Sequence, residues 1–246
     1  MILCGGRGTR LREYTEAIPK VLVEVGGYPI LWHIMKGYAA YGFDDFVLAL
    51  GYLADRVKDY VDGNQEKPAQ AGGSGNTDRS TESWSIAAID TGEETNTGGR
   101  IKRLEKSVRG QTFFATYGDG VSDIDLRSLL SFHRAHGKAA TLTVVRPQLN
   151  FGLVELGDDD RVRSFTEKPR MDGWINGGFF VFDRRVFEYL EDDSVLERDP
   201  MERLANDGQL MAYRHDGFWA CMDTYKDNVS LNQSWSAGKA PWKTWD

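Results

Sequence analysis

The amino-acid sequence predicts an α/β fold, in which one domain spanning residues 1–246 is built on a mostly parallel sheet with helices on both faces. Short apolar runs alternate with amphipathic helical segments, and the connections between them are short, as in parallel sheets covered by helices. A chain of this length buries a substantial core, and it shows no internal repeat. These observations favour one large domain over two small ones.

The first predicted strand runs into a glycine-rich loop. Ile2-Leu3-Cys4 is apolar, and Gly5-Gly6-Arg7-Gly8-Thr9-Arg10-Leu11 follows it directly. Glycines let the backbone approach a ligand closely and point N–H groups at anionic oxygens. Arg7, Arg10 and the later Lys20 add positive charge to this region. The loop is therefore a candidate phosphate cradle, and a tight turn with solvated arginines is the alternative interpretation.

Strands and helices alternate along the rest of the chain. Apolar residues at helical spacing follow Pro29 as far as Tyr41, and Gly42 is a typical helix end. Further strands are predicted at 46–50, 84–90, 113–117, 140–145, 179–182 and 211–213, and further helices at 54–61, 101–108, 122–136, 184–190, 200–206 and after 223. Residues 151–156 and 161–165 alternate in polarity around the turn at 157–160, which predicts a small β-hairpin extension.

Two polar segments interrupt this pattern. Residues 63–83 contain no apolar side chain larger than alanine, so we expect a flexible polar loop inside the domain. Residues 91–100 predict a second polar loop, which ends Thr97-Gly98-Gly99-Arg100.

The composition excludes several classes of protein. A net charge of −7 and a pI near 5.2 argue against a non-specific nucleic-acid binder, which needs a broad basic face. Cys4 and Cys221 lie far apart and indicate neither a disulfide framework nor a metal cluster, so both are predicted to be buried small residues. Every apolar run is far shorter than the roughly 20 residues of a membrane span, and no secretory signal pattern opens the chain. We therefore expect a cytoplasmic protein without membrane partners.

Three glycine motifs follow predicted strands or open helices. They are Gly5 to Arg10, Thr97 to Arg100 and Gly118-Asp119-Gly120. Because the carboxyl ends of parallel strands share one edge of a sheet, these segments are expected to converge there on a ligand.

Two aspartates are candidates for holding a metal ion. Asp119 lies between glycines after a strand, and Mg²⁺ on a nucleotide takes one or two protein carboxylates besides phosphate oxygens and water. An Asp-Gly turn is the alternative. Asp223 follows an aromatic strand and is the candidate second carboxylate, although it is also placed to cap a helix.

Residues beyond the hairpin are candidates for binding a sugar phosphate. Lys168 lies between Glu167 and Pro169, and the proline predicts a restricted, extended conformation for it. Such a lysine beside a carboxylate is suited to clamp a phosphate and a sugar hydroxyl, or it forms only a surface ion pair. Asn176 is placed to hydrogen-bond a hydroxyl, or it serves the turn before Gly177.

The histidines indicate no catalytic role. His133 and His136 lie three residues apart on a predicted helix without a further ligand, and no Ser/His/Asp or Cys/His arrangement is evident. If the nucleophile is an already ionised phosphate oxygen, no general base is required, and cations with a metal suffice to align two phosphates.

Taken over the whole chain, these motifs resemble the sugar-1-phosphate nucleotidyltransferases. The matching segments are the loop from Gly5 to Leu11, Pro19-Lys20, Thr97-Gly98-Gly99-Arg100, Tyr117-Gly118-Asp119-Gly120, Phe165 through Pro169, Asn176-Gly177-Gly178, Met222-Asp223-Thr224 and the tail from Gly238 to Trp245. The Thr-Gly-Gly-Arg segment and the tail point to the cytidylyltransferase branch. The resemblance implies a single-domain, mostly parallel Rossmann-like sheet and, as an activity, nucleotide-sugar synthesis of the kind that supplies O-antigen and lipopolysaccharide.

The resemblance also implies the substrates and the roles of individual residues. CTP and α-D-glucose 1-phosphate would react with Mg²⁺ to give CDP-glucose and pyrophosphate. Catalytic roles would fall to Arg10, Lys20 and Asp119, and the metal would be held by Asp119 and Asp223. Nucleotide contacts would come from Leu3, Cys4, Gly5, Gly6, Arg7, Gly8, Thr9, Arg10, Thr95 and Arg100, and sugar-phosphate contacts from Glu167, Lys168, Asn176 and Gly177.

Alternatives follow from what spacing cannot resolve. The same chemistry with dTTP, UTP or GTP, or with another sugar 1-phosphate, depends on a few base and sugar contacts. A non-catalytic sugar-nucleotide-binding subunit is disfavoured because Lys20 and both aspartates are present. The chain departs from the family at Pro19-Lys20-Val21-Leu22, where Pro-Lys-Pro-Met is usual, and in the polar 63–83 segment. A homo-oligomer is expected.

Overall fold

The structure is a computed structural model that describes residues 1–11, 17–65 and 84–245. The strands in these ranges are β1 (Ile2–Leu3), β2 (Glu24–Val25), β3 (Tyr28–Pro29), β4 (Asp45–Leu50), β5 (Ser85–Asp90), β6 (Thr112–Tyr117), β7 (Gly120–Ser122), β8 (Ala140–Val145), β9 (Leu153–Leu156), β10 (Val162–Thr166), β11 (Ile175–Asp183), β12 (Leu210–His215) and β13 (Trp219–Cys221). The α-helices are α1 (Ile30–Ala39), α2 (Ala54–Gln65), α3 (Thr97–Arg103), α4 (Leu126–His136), α5 (Asp199–Asn206) and α6 (Tyr225–Ser236). Short 3₁₀ helices are formed by Thr9–Leu11, Lys20–Leu22, Glu105–Ser107 and Arg184–Tyr189.

Seven strands form the central sheet in the order β12-β8-β11-β6-β1-β4-β5. Parallel pairs join β12 to β8, β6 to β1, β1 to β4 and β4 to β5, and only β11 runs antiparallel to its two neighbours. This mostly parallel sheet confirms the predicted fold class.

The direction of the strands brings the candidate segments together. Leu3 at the end of β1 is aligned with Ala49 in β4 and with Tyr117 in β6. The segments that follow these three strands, including the glycine loop and Gly118-Asp119-Gly120, therefore leave the sheet at the same edge.

Both faces of the sheet are packed, as β11 illustrates. Phe179 and Val181 belong to one hydrophobic core, and the alternating Phe180 and Phe182 belong to a second core on the other face. Helices α1, α2 and α4 contribute to the first core, and α3 and α5 contribute to the second. The apolar run at 179–182 is thus a strand buried on both faces, and helices cover both sides as predicted.

The predicted helices at 101–108 and 122–136 have wrong boundaries, and both errors bear on the site. The segment Thr97 to Arg100 was expected to end a loop, but it forms the first turn of α3, because the bare backbone of its glycines packs closely against residues 192–196. The helix predicted over 122–136 begins only at Leu126. Gly120–Ser122 instead pairs with β13, and Asp125 caps α4 by accepting hydrogen bonds from the N–H groups of Arg127 and Ser128.

The polar segment 63–83 is described only in part. Residues 63–65 continue α2 rather than beginning a loop. The remainder of that prediction, 66–83, lies outside the described residues.

The predicted hairpin extension is present. β9 and β10 pair antiparallel as a separate two-stranded sheet, and Asp160 adopts φ +59° in the turn between them. Large apolar side chains on this hairpin are exposed, including Leu156, Val162 and Phe165.

The C-terminal segment packs back onto α1. Thr224 and Asp227 form a capping box at the start of α6, and the indole of Trp242 beyond this helix is buried. Trp242 donates a hydrogen bond to Nδ1 of the buried His33 over 3.3 Å. None of the described helices is long and apolar enough to cross a lipid bilayer.

Candidate active site

A cleft of about 280 Å³ opens at the carboxyl edge of the sheet. Its walls come from the end of β1, from the first turn of α3 and from the segment after β6. Lys20 and Asp119 line the same cleft. The predicted convergence of the three glycine motifs is therefore observed.

Two carboxylates and one ammonium group form the centre of the site. Lys20 Nζ lies 2.5 Å from Oδ2 of Asp119 and 2.9 Å from Oδ1 of Asp223. The Met222 N–H donates to the Asp119 carbonyl over 2.8 Å, which fixes the segment after β13 that carries Asp223 against the segment carrying Asp119. The guanidinium of Arg10 also pairs with Asp223. Four residues from distant parts of the sequence thus meet at one point.

The charges in this group balance. Burial alone would lower the pKa of Lys20, but the nearby Asp119 and Asp223 carboxylates outweigh it, and the pKa of Lys20 lies above its ordinary value. Lys20 therefore stays protonated at neutral pH. Together with Arg10 it offsets the two negative charges.

The same geometry fits a divalent cation. Because Asp119 and Asp223 both contact one ammonium nitrogen, their oxygens are close enough to share a single cation. Carboxylate oxygens are ligands that Mg²⁺ prefers. Within the described residues no group of three or more His, Cys, Asp and Glu forms a metal site, so the remaining ligands would be phosphate oxygens and water.

The two arginines of the glycine loop point in different directions. Arg10 points to Asp223, whereas Arg7 pairs with Glu93, at 2.8 Å, and with Glu94, and its guanidinium lies 5.4 Å from the Tyr52 ring centroid. Arg7 thus links the glycine loop to the 91–95 segment. The nucleotide contact expected of it stays a prediction.

Arg100 braces the floor of the cleft. Its guanidinium is buried and donates to the carbonyl oxygens of Leu50, Gly5, Gly92 and Glu93 and to the hydroxyl of Thr91, over 2.7 to 3.1 Å. A Cβ atom at Gly5 would lie 2.1 Å from this guanidinium, so glycine is required there. The geometry gives Arg100 a positioning role, and its direct contact with nucleotide stays a prediction.

The remaining predicted nucleotide residues divide into two groups: Leu3, Cys4, Gly6 and Thr95 line the cleft, whereas Gly8 and the exposed Thr9 are not among its lining residues. Cys4 continues β1, and its N–H donates to the Ala49 carbonyl over 2.8 Å, while burial raises the pKa of its thiol to about 12. Gly6 and Thr95 also line the cleft, and the Thr95 hydroxyl is held by Thr91 and Arg103. Cys221 is only half-buried, which corrects the prediction that both cysteines are buried.

Tyr117 lines the cleft near α3, and its partner Glu197 is a residue that the sequence did not single out. The Tyr117 hydroxyl donates to the Glu197 carboxylate, which also accepts from Thr97 Oγ1 over 2.7 Å. Burial and the Glu197 charge raise the pKa of Tyr117, so its hydroxyl stays protonated. The position of Tyr117 directly before Gly118-Asp119 was a usable signal. Glu197 lies in an acid-rich stretch and offered none.

The predicted sugar-phosphate residues fall into two groups. Asn176 Nδ2 donates to the Tyr117 hydroxyl over 3.0 Å, and Gly177 accepts a hydrogen bond from the Trp219 indole, so both lie beside the cleft wall. Glu167 and Lys168 are exposed at the base of the hairpin and pair only with each other, at 3.6 Å, among the contacts described for them. Lys168 adopts φ +46°, so the extended conformation predicted for it is wrong.

Comparison with known proteins gives this site its context. A family model described as nucleotidyl transferase matches residues 1–228. The chain is 44% identical over 255 residues to the glucose-1-phosphate cytidylyltransferase of Salmonella typhi. It is 42% identical over 256 residues to the probable glucose-1-phosphate cytidylyltransferase of Bacillus subtilis. Each comparison covers 100% of this chain and 99% of the relative. The crystal structure of HddC from Yersinia pseudotuberculosis shares the fold, with a TM-score of 0.73, 22% identity and coverage of 95% of this chain and 97% of that one. The chain therefore belongs to the nucleotidyl transferase family.

Proposed function

We propose that the protein transfers the cytidylyl group of CTP to α-D-glucose 1-phosphate, giving CDP-glucose and pyrophosphate. The observation that carries this proposal is the full-length identity of 44% to a glucose-1-phosphate cytidylyltransferase. The cluster of Lys20, Arg10, Asp119 and Asp223 supports it, because these groups provide the charges that transfer between two phosphates needs.

The reaction needs charge and alignment more than a base. An oxygen of the sugar phosphate, ionised at neutral pH, attacks the α-phosphorus of CTP. The bond from the α-phosphorus to the bridging oxygen of the β-phosphate breaks, and pyrophosphate leaves with the electron pair. Lys20 and Arg10 are placed to stabilise the negative charge that develops on the phosphates. Among the described contacts of Asp119 and Asp223 there is none with a histidine, and the reaction as written transfers no proton.

Mg²⁺ is proposed as the cofactor of this reaction. Asp119 and Asp223 would hold it, and when bound it would neutralise phosphate charge. The convergence of both carboxylates on Lys20 Nζ supports this assignment.

One assay separates this function from its alternatives. The protein is incubated with Mg²⁺, glucose 1-phosphate and CTP, dTTP, UTP or GTP in turn, and pyrophosphate release is followed. Release with CTP alone is expected. A preference for another triphosphate would retain the chemistry and overturn the base assignment, and no release from folded protein would point to a non-catalytic subunit.

The Asp119→Ala variant is expected to lose turnover, and an unimpaired variant would contradict the metal role of Asp119.

The setting of the enzyme is also part of the proposal. We propose a cytoplasmic homo-oligomer that supplies nucleotide sugar for O-antigen or lipopolysaccharide. Assembly is supported by the β9–β10 hairpin, which presents Leu156, Val162 and Phe165 more than half exposed. A two-stranded sheet is marginally stable alone in water, so a second copy covering this surface would stabilise it.

A further inference from the structure

A cluster of charged residues lies at the ends of β8 and β12, outside the groups used above. Arg170 follows Pro169 directly, and its Nε donates to the Arg146 carbonyl over 2.9 Å. Its Nη2 donates to the Asp216 carbonyl over 2.9 Å and lies 3.4 Å from the Asp216 carboxylate. One side chain thus joins the segment after Lys168 to the ends of two neighbouring strands, β8 and β12.

A second arginine strengthens this attachment. Arg146 Nη2 donates to the Asp216 carboxylate over 2.7 Å, so this carboxylate accepts a hydrogen bond from one guanidinium group and forms an ion pair with the other. That hydrogen bond from Arg146, followed by the charges of both arginines, holds the pKa of Asp216 below its usual range. The ring of Trp174 contacts two guanidinium groups. Its centroid lies 4.7 Å from Cζ of Arg146 and 5.7 Å from Cζ of Arg214. We name Arg146, Arg170 and Asp216 the arginine clamp.

Backbone hydrogen bonds attach the same segment on either side of the clamp. The N–H of Leu149 donates to the Pro169 carbonyl over 2.8 Å, and the N–H of Met171 donates to the Pro147 carbonyl over 2.9 Å. The residues directly after Lys168 are therefore fixed to the segment that follows β8. Arg170 is the residue of this segment whose side chain extends the attachment to β12.

Lys168 itself has an unfavourable backbone conformation. It adopts φ +46°, a left-handed value that residues with a Cβ atom rarely take, and the following proline narrows its choices further. Such a conformation persists only where the surrounding structure over-determines it. The arginine clamp supplies that constraint on the C-terminal side of Lys168.

The clamp is poorly placed to serve stability alone. The side chains of Arg170 and Asp216 are about half exposed, at 46% and 57%. Ion pairs this exposed contribute little to folding, because water solvates the separated charges almost as well. Their effect is geometric, since the planar guanidinium fixes direction through several hydrogen bonds at once.

We propose that Arg170 and Asp216 are positioning residues that orient Lys168 for glucose 1-phosphate. The inference rests on the proposed function and on the sugar-phosphate contact predicted for Lys168 from the sequence. Neither clamp residue touches the substrate. Both act by holding Lys168 in its left-handed conformation.

The first test separates substrate positioning from folding. Arg170→Ala and Arg170→Lys are expected to raise the KM for glucose 1-phosphate about tenfold, because a small displacement of a binding group has large effects. The KM for CTP and the melting temperature are expected to stay unchanged. Lysine does not rescue, since it lacks the planar fork that reaches both Arg146 and Asp216. Arg161→Ala is the matched control, because Arg161 is exposed and pairs only with Asp159 in its own turn among its described contacts.

A double-mutant cycle identifies Lys168 as the residue through which the clamp acts. On a Lys168→Ala background, Arg170→Ala is expected to have no further effect on the KM for glucose 1-phosphate. If the two effects add, or if Arg170→Ala alone leaves this KM unchanged, the positioning role is overturned while the proposed function stands. Absence of pyrophosphate release by the unmodified protein with CTP would instead overturn the proposed function. An Asp216→Asn variant with an unchanged KM would also contradict the inference.

Discussion

Lys20 and Arg100 are both cations at the floor of the cleft, but their surroundings differ. Lys20 is paired with two carboxylates, so its partners are ionic groups. Arg100 donates mainly to carbonyl oxygens of three different segments, which ionic ligands do not displace. The first arrangement suits chemistry with phosphates, and the second suits a fixed support.

Replacing Arg100 is expected to destabilise the fold. Arg100→Met should lower the free energy of unfolding by about 2–3 kcal/mol, because the Glu93 carbonyl and the Thr91 hydroxyl lose buried hydrogen bonds. Urea denaturation measures this change. Arg161→Met, at an exposed arginine with a local partner, is the control and should change stability little. Equal stability of the two variants would contradict the bracing role.

Replacing Lys20 and replacing Asp119 are expected to change the affinity for a divalent cation in opposite directions. If a metal ion takes the oxygens that Lys20 contacts, Lys20→Met should bind Mn²⁺ about tenfold more tightly without nucleotide, because a competing positive charge is gone. Asp119→Asn should bind Mn²⁺ more weakly than the unmodified protein. Titration of Mn²⁺ followed by electron paramagnetic resonance measures both. Changes of the same sign in the two variants would argue against a shared site.

At the scale of elements, helix α3 shows glycine in an unusual place. Gly98 and Gly99 lie in its first turn, where glycine weakens a helix. A Cβ atom at Gly99 would lie 2.1 Å from the Asp192 carbonyl oxygen, and the Gly99 N–H donates to the Ser194 carbonyl over 3.0 Å. The glycines thus let α3 approach the segment that carries Glu197.

The same substitution in two helices should therefore have opposite effects. Gly99→Ala should destabilise the protein by about 1–3 kcal/mol, because the added methyl group overlaps backbone atoms. Gly63→Ala in α2 should stabilise it by up to about 1 kcal/mol, since nothing lies within 4 Å of the added atom and alanine favours the helix. Thermal unfolding measures both signs. A stabilised Gly99→Ala variant would mean that the contact with residues 192–194 is dispensable.

Sequence patterns predict most strands of the sheet, because buried strands such as β4 and β11 are continuous apolar runs. They failed at the start of α3 and at β7, where tertiary contacts decide. Gly98-Gly99 has the composition of a loop and is helical only because a neighbouring segment packs against it. β7 is three residues long and pairs with β13, almost a hundred residues later, so no local signal distinguishes it from a helix start.

The site was predictable to a similar extent. Lys20 follows a proline, Asp119 lies between glycines and Asp223 follows an aromatic strand; their charges suit phosphates or a metal ion, and the structure brings the three together. Glu197 and the arginine clamp were not found, because their roles arise from partners far away in sequence. The pairing of Arg170 with Asp216 depends on the adjacency of β8 and β12, which the sequence pattern does not specify.

For the molecule as a whole, the buried His33 predicts sensitivity to acid. Its Nε2 donates to the Val25 carbonyl over 2.8 Å, and burial lowers its pKa to about 4. Because the unfolded chain binds this proton near pH 6.5, stability is full above pH 6.5 and falls by about 3 kcal/mol as the pH drops to 4. His33→Gln should show a flatter decline in unfolding free energy over this range. An unchanged slope would assign the acid sensitivity to other groups, such as His133, whose pKa burial also lowers to about 4.

The exposed hairpin makes a prediction about assembly. Val162 lies opposite Leu156 in the β9–β10 pair, so Leu156→Lys with Val162→Lys places two charges at one point of the apolar surface. Light scattering should give the unmodified protein a mass above the 27.7 kDa of one chain, and the double variant a mass near it. Asp158→Lys with Asp159→Lys, in the polar turn of the same hairpin, is the control. A monomeric unmodified protein at micromolar concentration would contradict assembly through this surface.

The position of β1 has a consequence for synthesis of the chain. Ile2 pairs with Leu48 and with Thr116, so β1 cannot pair with its second neighbour until β6 has been made. At roughly 5–20 residues per second on the ribosome, that interval is of the order of ten seconds. During it the nascent chain carries the glycine loop on a strand with one unpaired edge, open to pairing with another nascent chain or to a chaperone. Slow translation upstream of residue 112 would lengthen that exposure, and the yield of folded protein is expected to decrease with it.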